Sequence, residues 1–253
     1  MSGDDEVTIA VIYPELLGTY GDNGNVVVLH QRLVRRGIPA RVLSVQAGET
    51  IPESCDLYLV GGAEDGSGRT AAEYLRQQPG LARAVGAGRP VLAVCAGMQL
   101  LGHEVLGSDG RGYSGLGLLD VTTSPREARA IGEVVAQPIT GPPDELLTGF
   151  ENHRGATRLG PGAQPLARVL RGVGNGAGVD VEGARQGSIV ATYLHGPVLA
   201  RNPALADLLL QTALGRPLGE LDVEGVARLR TERLATLRRR PSWRARVVRA
   251  VRP

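Results

Sequence analysis

Residues 90–102 read PVLAVCAGMQLLG, and this stretch restricts the fold more than any other part of the chain. An apolar run of strand character ends at Cys95, and an apolar helical pattern begins at Ala96 with no loop between them. A buried strand that turns at once into a helix is the repeating unit of a parallel sheet covered by helices. In such sheets the residue at the elbow projects from the carboxyl edge, where open α/β sheets bind their ligands. Ala96 and Gly97 keep the turn uncluttered. The free N–H groups of a helix's first turn favour an anion and can stabilise an oxyanion. Cys95 is therefore a candidate nucleophile. The ordinary alternative is a small buried hydrophobe, since free cysteines are commonly buried.

The rest of the N-terminal half repeats the unit. Strands are predicted at 7–13 (VTIAVIY), 40–45, 55–60 (CDLYLV) and 90–94, with helices at 25–36, 70–78 and near 81–86. Glycine-rich loops follow the first and third strands, the latter opening with Gly61 and Gly62. After Leu116 the pattern shortens: strands are predicted at 121–123, 130–137 and 149–152, and a loop or hairpin tip at 172–178. A last apolar strand, 187–194 (GSIVATYL), ends at His195, and a helix covers 203–213. The expectation is an α/β fold with a mainly parallel central sheet and helices on both faces. Residues 1–214 form its main domain and 215–253 a basic helical extension.

Composition narrows the function classes. The chain has 253 residues, 42% hydrophobic but only 3% aromatic, so the core must come from Val, Leu, Ala and Ile. All 28 basic residues are arginine. A phosphate-binding P-loop needs lysine, so any ATP used in the reaction is expected on another chain. There is no apolar run of membrane-spanning length, the first residues are acidic, and the cysteines are only Cys55 and Cys95. A cytoplasmic protein without disulfide, signal peptide or transmembrane segment is expected. No metal site is singled out. Ten arginines lie between Arg228 and Arg252 with Trp243 as the one aromatic. That pattern suits a solvated helix face, a partner subunit or an anionic surface, and argues against nucleic acid.

A thiol nucleophile needs a group that moves protons to the leaving atom. His195, at the end of an apolar strand in TYLHGP, is expected at the same sheet edge as Cys95. His153, in ENHRG, is expected on a loop near that edge. His30 reads as mid-helix, and His103 as part of the helix after Cys95, pointing away from the elbow.

VCAGMQLLG together with ATYLHGP resembles the class I, triad-type glutamine amidotransferases, in the branch of cobyric-acid-synthase-like domains. TYGDNGN, VGGAED, ARAIGEVV, GFENHRGAT and YLHGPVLARNP narrow the resemblance to the GatD family, the glutaminase subunits of lipid II isoglutaminyl synthase. It covers roughly residues 7–212. It implies a flavodoxin-like sandwich in which Cys95 attacks the side-chain amide of L-glutamine and His195 shuttles protons. Gly62 and the N–H of Ala96 would form the oxyanion hole. Arg129 would bind the substrate α-carboxylate, and Gln99 would contact the substrate. The implied partner is a MurT-like Mur ligase subunit in a heterodimer. That subunit would hold ATP and Mg and amidate the D-glutamate of lipid II with the released ammonia, at the inner face of the membrane. No cofactor is expected in this chain.

Two departures stand out. Ala93 replaces the glycine common two residues before the cysteine, and Gly196-Pro197 follow His195 where many members carry an acid. Either a Cys–His dyad operates, or an acid comes from elsewhere. Glu151 is the acid considered, with Asn152 and His153 beside it as site-lining residues. The alternatives are a glutaminase serving another synthetase, such as a cobyrinate-amidating enzyme, a different cysteine hydrolase, and a catalytically silent module on the same fold.

Overall fold

The computed structural model describes residues 6–107, 110–139 and 143–239. Its first sheet is built from the apolar runs. β1 (Val7–Ile12), β3 (Leu57–Val60), β4 (Val91–Val94) and β12 (Ile189–Thr192) are buried along their whole length, as strands covered on both faces must be. β2 (Ala40–Val45) closes one edge and is half exposed. The order is β11-β12-β4-β3-β1-β2, parallel throughout except for β11 (Ala184–Gln186).

The helices fall into two groups. α1 (Gly24–Val34) packs against α5 (Val198–Arg201) and α6 (Pro203–Leu214). A two-pronged ion pair links them: Arg32 Nε and Nη2 donate to Asp207 at 2.7 and 2.5 Å. α2 (Asp65–Arg76) packs against α4 (Ala96–Leu101), and α3 (Gly80–Gly86) lies between α2 and β4 in the chain. α2 starts five residues before the predicted helix, because the segment DGSG has no apolar period to announce it. α4 is shorter than predicted. His103 lies beyond it, with Nε2 3.1 Å from Asp120 Oδ1.

The second sheet departs from the expected short strands. β7 (Val121–Pro138) and β8 (Leu147–Leu159) form one long antiparallel ribbon. The register slips between Pro125 and Ala130, so an irregularity absorbs the polar stretch where the alternation fails and the strand continues past it. β5 (Glu104–Leu106), β6 (Gly112–Ser114), β9 (Ala167–Arg171) and β10 (Val181–Glu182) complete this sheet. The two sheets are stitched by an antiparallel bridge in which Phe150 and His195 exchange backbone hydrogen bonds of 3.1 and 2.8 Å.

Past the left-handed Gly215, which ends α6, α7 (Val226–Arg239) returns to the ribbon. Arg230 Nη1 donates to the Arg201 carbonyl at 2.7 Å, and its Nε pairs with Glu145 at 3.1 Å. The remaining arginines of the tail, from Arg240, lie outside the described residues.

The elbow at Cys95 depends on one close approach. A Cβ at Gly97 would stand 2.2 Å from the Val60 carbonyl oxygen, which is backbone and cannot step aside. Gly97→Ala should therefore lower stability by about 1–3 kcal/mol, read from the urea midpoint. Gly86→Ala, where an added Cβ meets nothing within 4 Å, is the comparison and should leave the midpoint nearly unchanged or raise it. Equal midpoints for the two variants would show that the elbow does not need this contact.

Candidate active site

Cys95 occupies φ 54°, ψ −109°, a conformation rare for a residue with a side chain. It is held there by its N–H, which donates to the Thr192 carbonyl at 2.8 Å, and by α4 starting at the next residue. Strain of this kind persists only where the surroundings impose it, and it clusters at functional sites. Cys95 itself is buried.

His195 follows β12, and its backbone is fixed by the bridge to Phe150. Its Nδ1 donates to the Asp22 carboxylate, 2.9 Å from Oδ1 and 3.1 Å from Oδ2. Asp22 lies in the loop between β1 and α1, and both side chains are buried. Burial pushes the imidazole pKa down, but the Asp22 carboxylate and the Cys95 sulfur outweigh it and raise it to about 10. Nε2 is buried with no hydrogen-bond partner among the described residues. The three groups converge around one backbone position. A Cβ at Gly62 would stand 2.8 Å from Asp22 Oδ2, 3.1 Å from His195 Cε1 and 3.4 Å from Cys95 Cβ.

Two expectations need correction. Glu151 is not the carboxylate on His195: its oxygens accept the N–H groups of Val173 and Gly174 at 2.9 Å each, which ties the glycine-rich loop to β8. Gly62 is not a free oxyanion donor here, because its N–H is given to Asp22 Oδ2 at 2.9 Å. Its lack of a side chain is what admits the other three groups.

Beside this cluster opens a cavity of about 340 Å³. Cys95, Ala96, Gln99, Arg129, Asn152 and His153 line it, so six of the residues singled out in the sequence meet there. Arg129 Nη1 donates to Asn152 Oδ1 at 2.8 Å. Gln99 Nε2 donates to the Tyr193 hydroxyl at 2.9 Å. His153 stacks on the Tyr193 ring with centroids 3.7 Å apart, and its Nδ1 donates to the Gly155 carbonyl at 3.0 Å. Burial depresses its pKa and so favours the neutral imidazole. Tyr20, Ala63, Glu64, Arg69 and Arg154 are among its other lining residues. Asp22, Tyr20 and Glu64 were not assigned from sequence. The available signal was the placement of TYGDNGN between β1 and the first turn of α1, and of GGAED directly after β3, at the edge that carries Cys95.

The signature of the CobB/CobQ-like glutamine amidotransferase domain matches residues 8–203. The chain belongs to this glutamine amidotransferase family. Within it, the chain is 34% identical over 213 residues to the GatD subunit of lipid II isoglutaminyl synthase (glutamine-hydrolyzing) of Staphylococcus aureus, covering 83% of this chain and 86% of that one. The GatD subunit of Streptococcus pneumoniae is 33% identical over 85% of this chain and 83% of its own length. A cobyric acid synthase from Pelotomaculum thermopropionicum is 32% identical over 77% of this chain but only 38% of that protein. Among solved structures, a Thermotoga maritima glutamine amidotransferase superposes with a TM-score of 0.53 at 15% identity, covering 83% of this chain and 82% of that one. The glutaminase domain of Trypanosoma brucei CTPS gives 0.53 at 13%, covering 84% and 96%. Both share the glutamine amidotransferase fold.

In this amidotransferase the charge on His195 depends on Asp22. Asp22→Asn removes one of the two groups that raise the imidazole pKa and leaves the Cys95 sulfur alone against burial. The imidazole should then titrate below the parent's value of about 10. A histidine NMR titration of the variant beside the parent measures this, and an unchanged titration would mean that Asp22 does not set the charge.

Proposed function

We propose that this chain is a GatD-type glutaminase subunit. It would hydrolyse L-glutamine through Cys95 and His195 and pass ammonia to a MurT-like, ATP-dependent ligase subunit. That partner would amidate the D-glutamate α-carboxylate of lipid II in the cytoplasm. The observation that most supports this is the convergence of Cys95, His195 and Asp22 around Gly62, beside a cavity that also holds an arginine.

The chemistry runs as an acyl transfer. The Cys95 sulfur, its proton passed to His195, attacks the amide carbon of glutamine, and a tetrahedral oxyanion forms near the Ala96 N–H, at the start of α4. His195, held protonated by Asp22, gives the Nε2 proton to the leaving nitrogen, and ammonia departs. Water then attacks the glutamyl thioester while the neutral His195 accepts its proton, and glutamate and the free cysteine are restored. Arg129 suits the α-carboxylate, since a guanidinium offers two parallel donors. Asn152 fixes one of its nitrogens.

The GatD reading is preferred to a cobyric acid synthase reading because the two GatD relatives match over 83–86% of their length and the synthase over 38%. The chain has no lysine for a P-loop, which fits a division of labour in which the partner holds ATP and Mg.

The test is copurification with the Mur-ligase-like protein of the same source, supplied with lipid II, ATP, Mg and either glutamine or ammonium. Cys95→Ala should lower glutamine-dependent amidation at least about 10³-fold and leave ammonium-dependent amidation intact, read by mass spectrometry of the stem peptide. Glutamine use by Cys95→Ala at the parent rate would remove the nucleophile assignment. Glutamine hydrolysis without lipid II amidation would keep the chemistry and remove the assigned acceptor.

A further inference from the structure

The cavity mouth holds an opposed pair of charges from two separate elements. Glu64, on the loop before α2, places Oε2 3.6 Å from Arg129 Nη2 on β7. Its Oε1 accepts a hydrogen bond of 2.6 Å from the Tyr20 hydroxyl. Tyr20 sits edge-on to His195, with ring centroids 5.1 Å apart. Tyr20, Glu64 and Arg129 all line the cavity that Cys95 lines.

We propose that Glu64 recognises the α-ammonium of the substrate, so that Arg129 and Glu64 together select glutamine as a free zwitterion. This rests on the glutaminase reading and names the substrate form its site accepts. A free amino acid bears a carboxylate and an ammonium on one carbon. The cavity offers a guanidinium and a carboxylate as neighbours on its wall. The Glu64–Arg129 contact is long, and the Glu64 side chain is 58% exposed, so separating the pair costs little. Two charge-assisted hydrogen bonds to the substrate replace it. Tyr20 holds the Glu64 carboxylate in place while Arg129 turns to the substrate carboxylate. Glutamine within a peptide, or acylated on its α-nitrogen, has no ammonium and would leave Glu64 facing a neutral group.

Binding without turnover separates this from the hydrolytic reading. The full chain with Cys95→Ala, copurified with its ligase partner, is titrated by calorimetry with L-glutamine and with Nα-acetyl-L-glutamine. The expected result is that L-glutamine binds at least tenfold tighter, roughly the effect of one hydrogen bond to a charged group. Adding Glu64→Gln should weaken L-glutamine by about the same factor and leave the acetylated compound unchanged. Tyr20→Phe should produce a smaller loss in the same direction. With Cys95 present, Glu64→Gln should raise KM for glutamine and leave kcat nearly unchanged. An equal effect of Glu64→Gln on both ligands, or no effect on either, overturns the proposal while the glutaminase reading stands. If L-glutamine does not bind the Cys95→Ala chain at all, both fall together.

Discussion

One carboxylate serves two loops and the end of a third strand. Asp22 accepts a hydrogen bond from Nδ1 of His195 and, through Oδ2, one from the backbone N–H of Gly62. The loop after β1, the loop after β3 and the turn after β12 are thereby locked together at one edge of the parallel sheet. Cys95, at the end of β4, enters the same space from the strand between β3 and β12. Four parallel strands each deliver one group to this point, and the distances follow from strand order rather than from proximity along the chain. The Phe150–His195 bridge adds the second sheet, which brings Arg129, Asn152 and His153 to the cavity. Loss of the Asp22 carboxylate would therefore disturb both the charge on the imidazole and the seat of the Gly62 loop.

The α/β class and the four buried strands were legible because strands covered on both faces read as unbroken apolar runs, and those runs stand out against their flanks. Cys95 and His195 were legible for the same reason: each stands where such a run stops. Asp22 was not. Nothing near residue 22 points to residue 195, and the pairing appears only when β1 and β12 are placed in one sheet with two strands between them. Glu151 follows Phe150, whose backbone bridges to His195. A strand alternates its side chains, so the residue after Phe150 faces the other way, and Glu151 meets the amides of the glycine-rich loop instead. The long β7–β8 ribbon was hidden because SPREAR interrupts the two-residue alternation, while backbone pairing continues on both sides of the irregularity.

The buried carboxylates near the site behave differently, and the difference lies in what each accepts. Asp22 accepts a hydrogen bond from an imidazole it helps keep charged. Glu182 accepts the Thr192 hydroxyl at 2.5 Å and the Tyr193 N–H at 2.9 Å, and its second oxygen has no hydrogen-bond partner among the described residues. Burial outweighs those two donors and raises its pKa to about 7. A carboxyl raised in this way favours the folded state while protonated, and that contribution is lost as pH rises from its ordinary value of 4.5 through about 7. The raised imidazole of His195 contributes most below its ordinary value of 6.5, and its contribution is lost on the way to about 10. Both contributions therefore fall as pH rises, in windows that overlap between 6.5 and about 7.

On the proposed reading, charge is also matched at each step of the reaction. Glu64 and Arg129 form a neutral pair at the mouth, and zwitterionic glutamine is neutral, so entry brings no unpaired charge into the cavity. Ammonia leaves as a neutral molecule once His195 has given up its proton. The product glutamate is different, because its new γ-carboxylate forms beside Cys95, where Asp22 is already paired with the imidazole of His195. That imidazole has just regained its proton from water, so the extra negative charge of the product meets His195 and not the Glu64–Arg129 pair. The residue that protonates the leaving nitrogen thus also sets the charge that glutamate must leave behind.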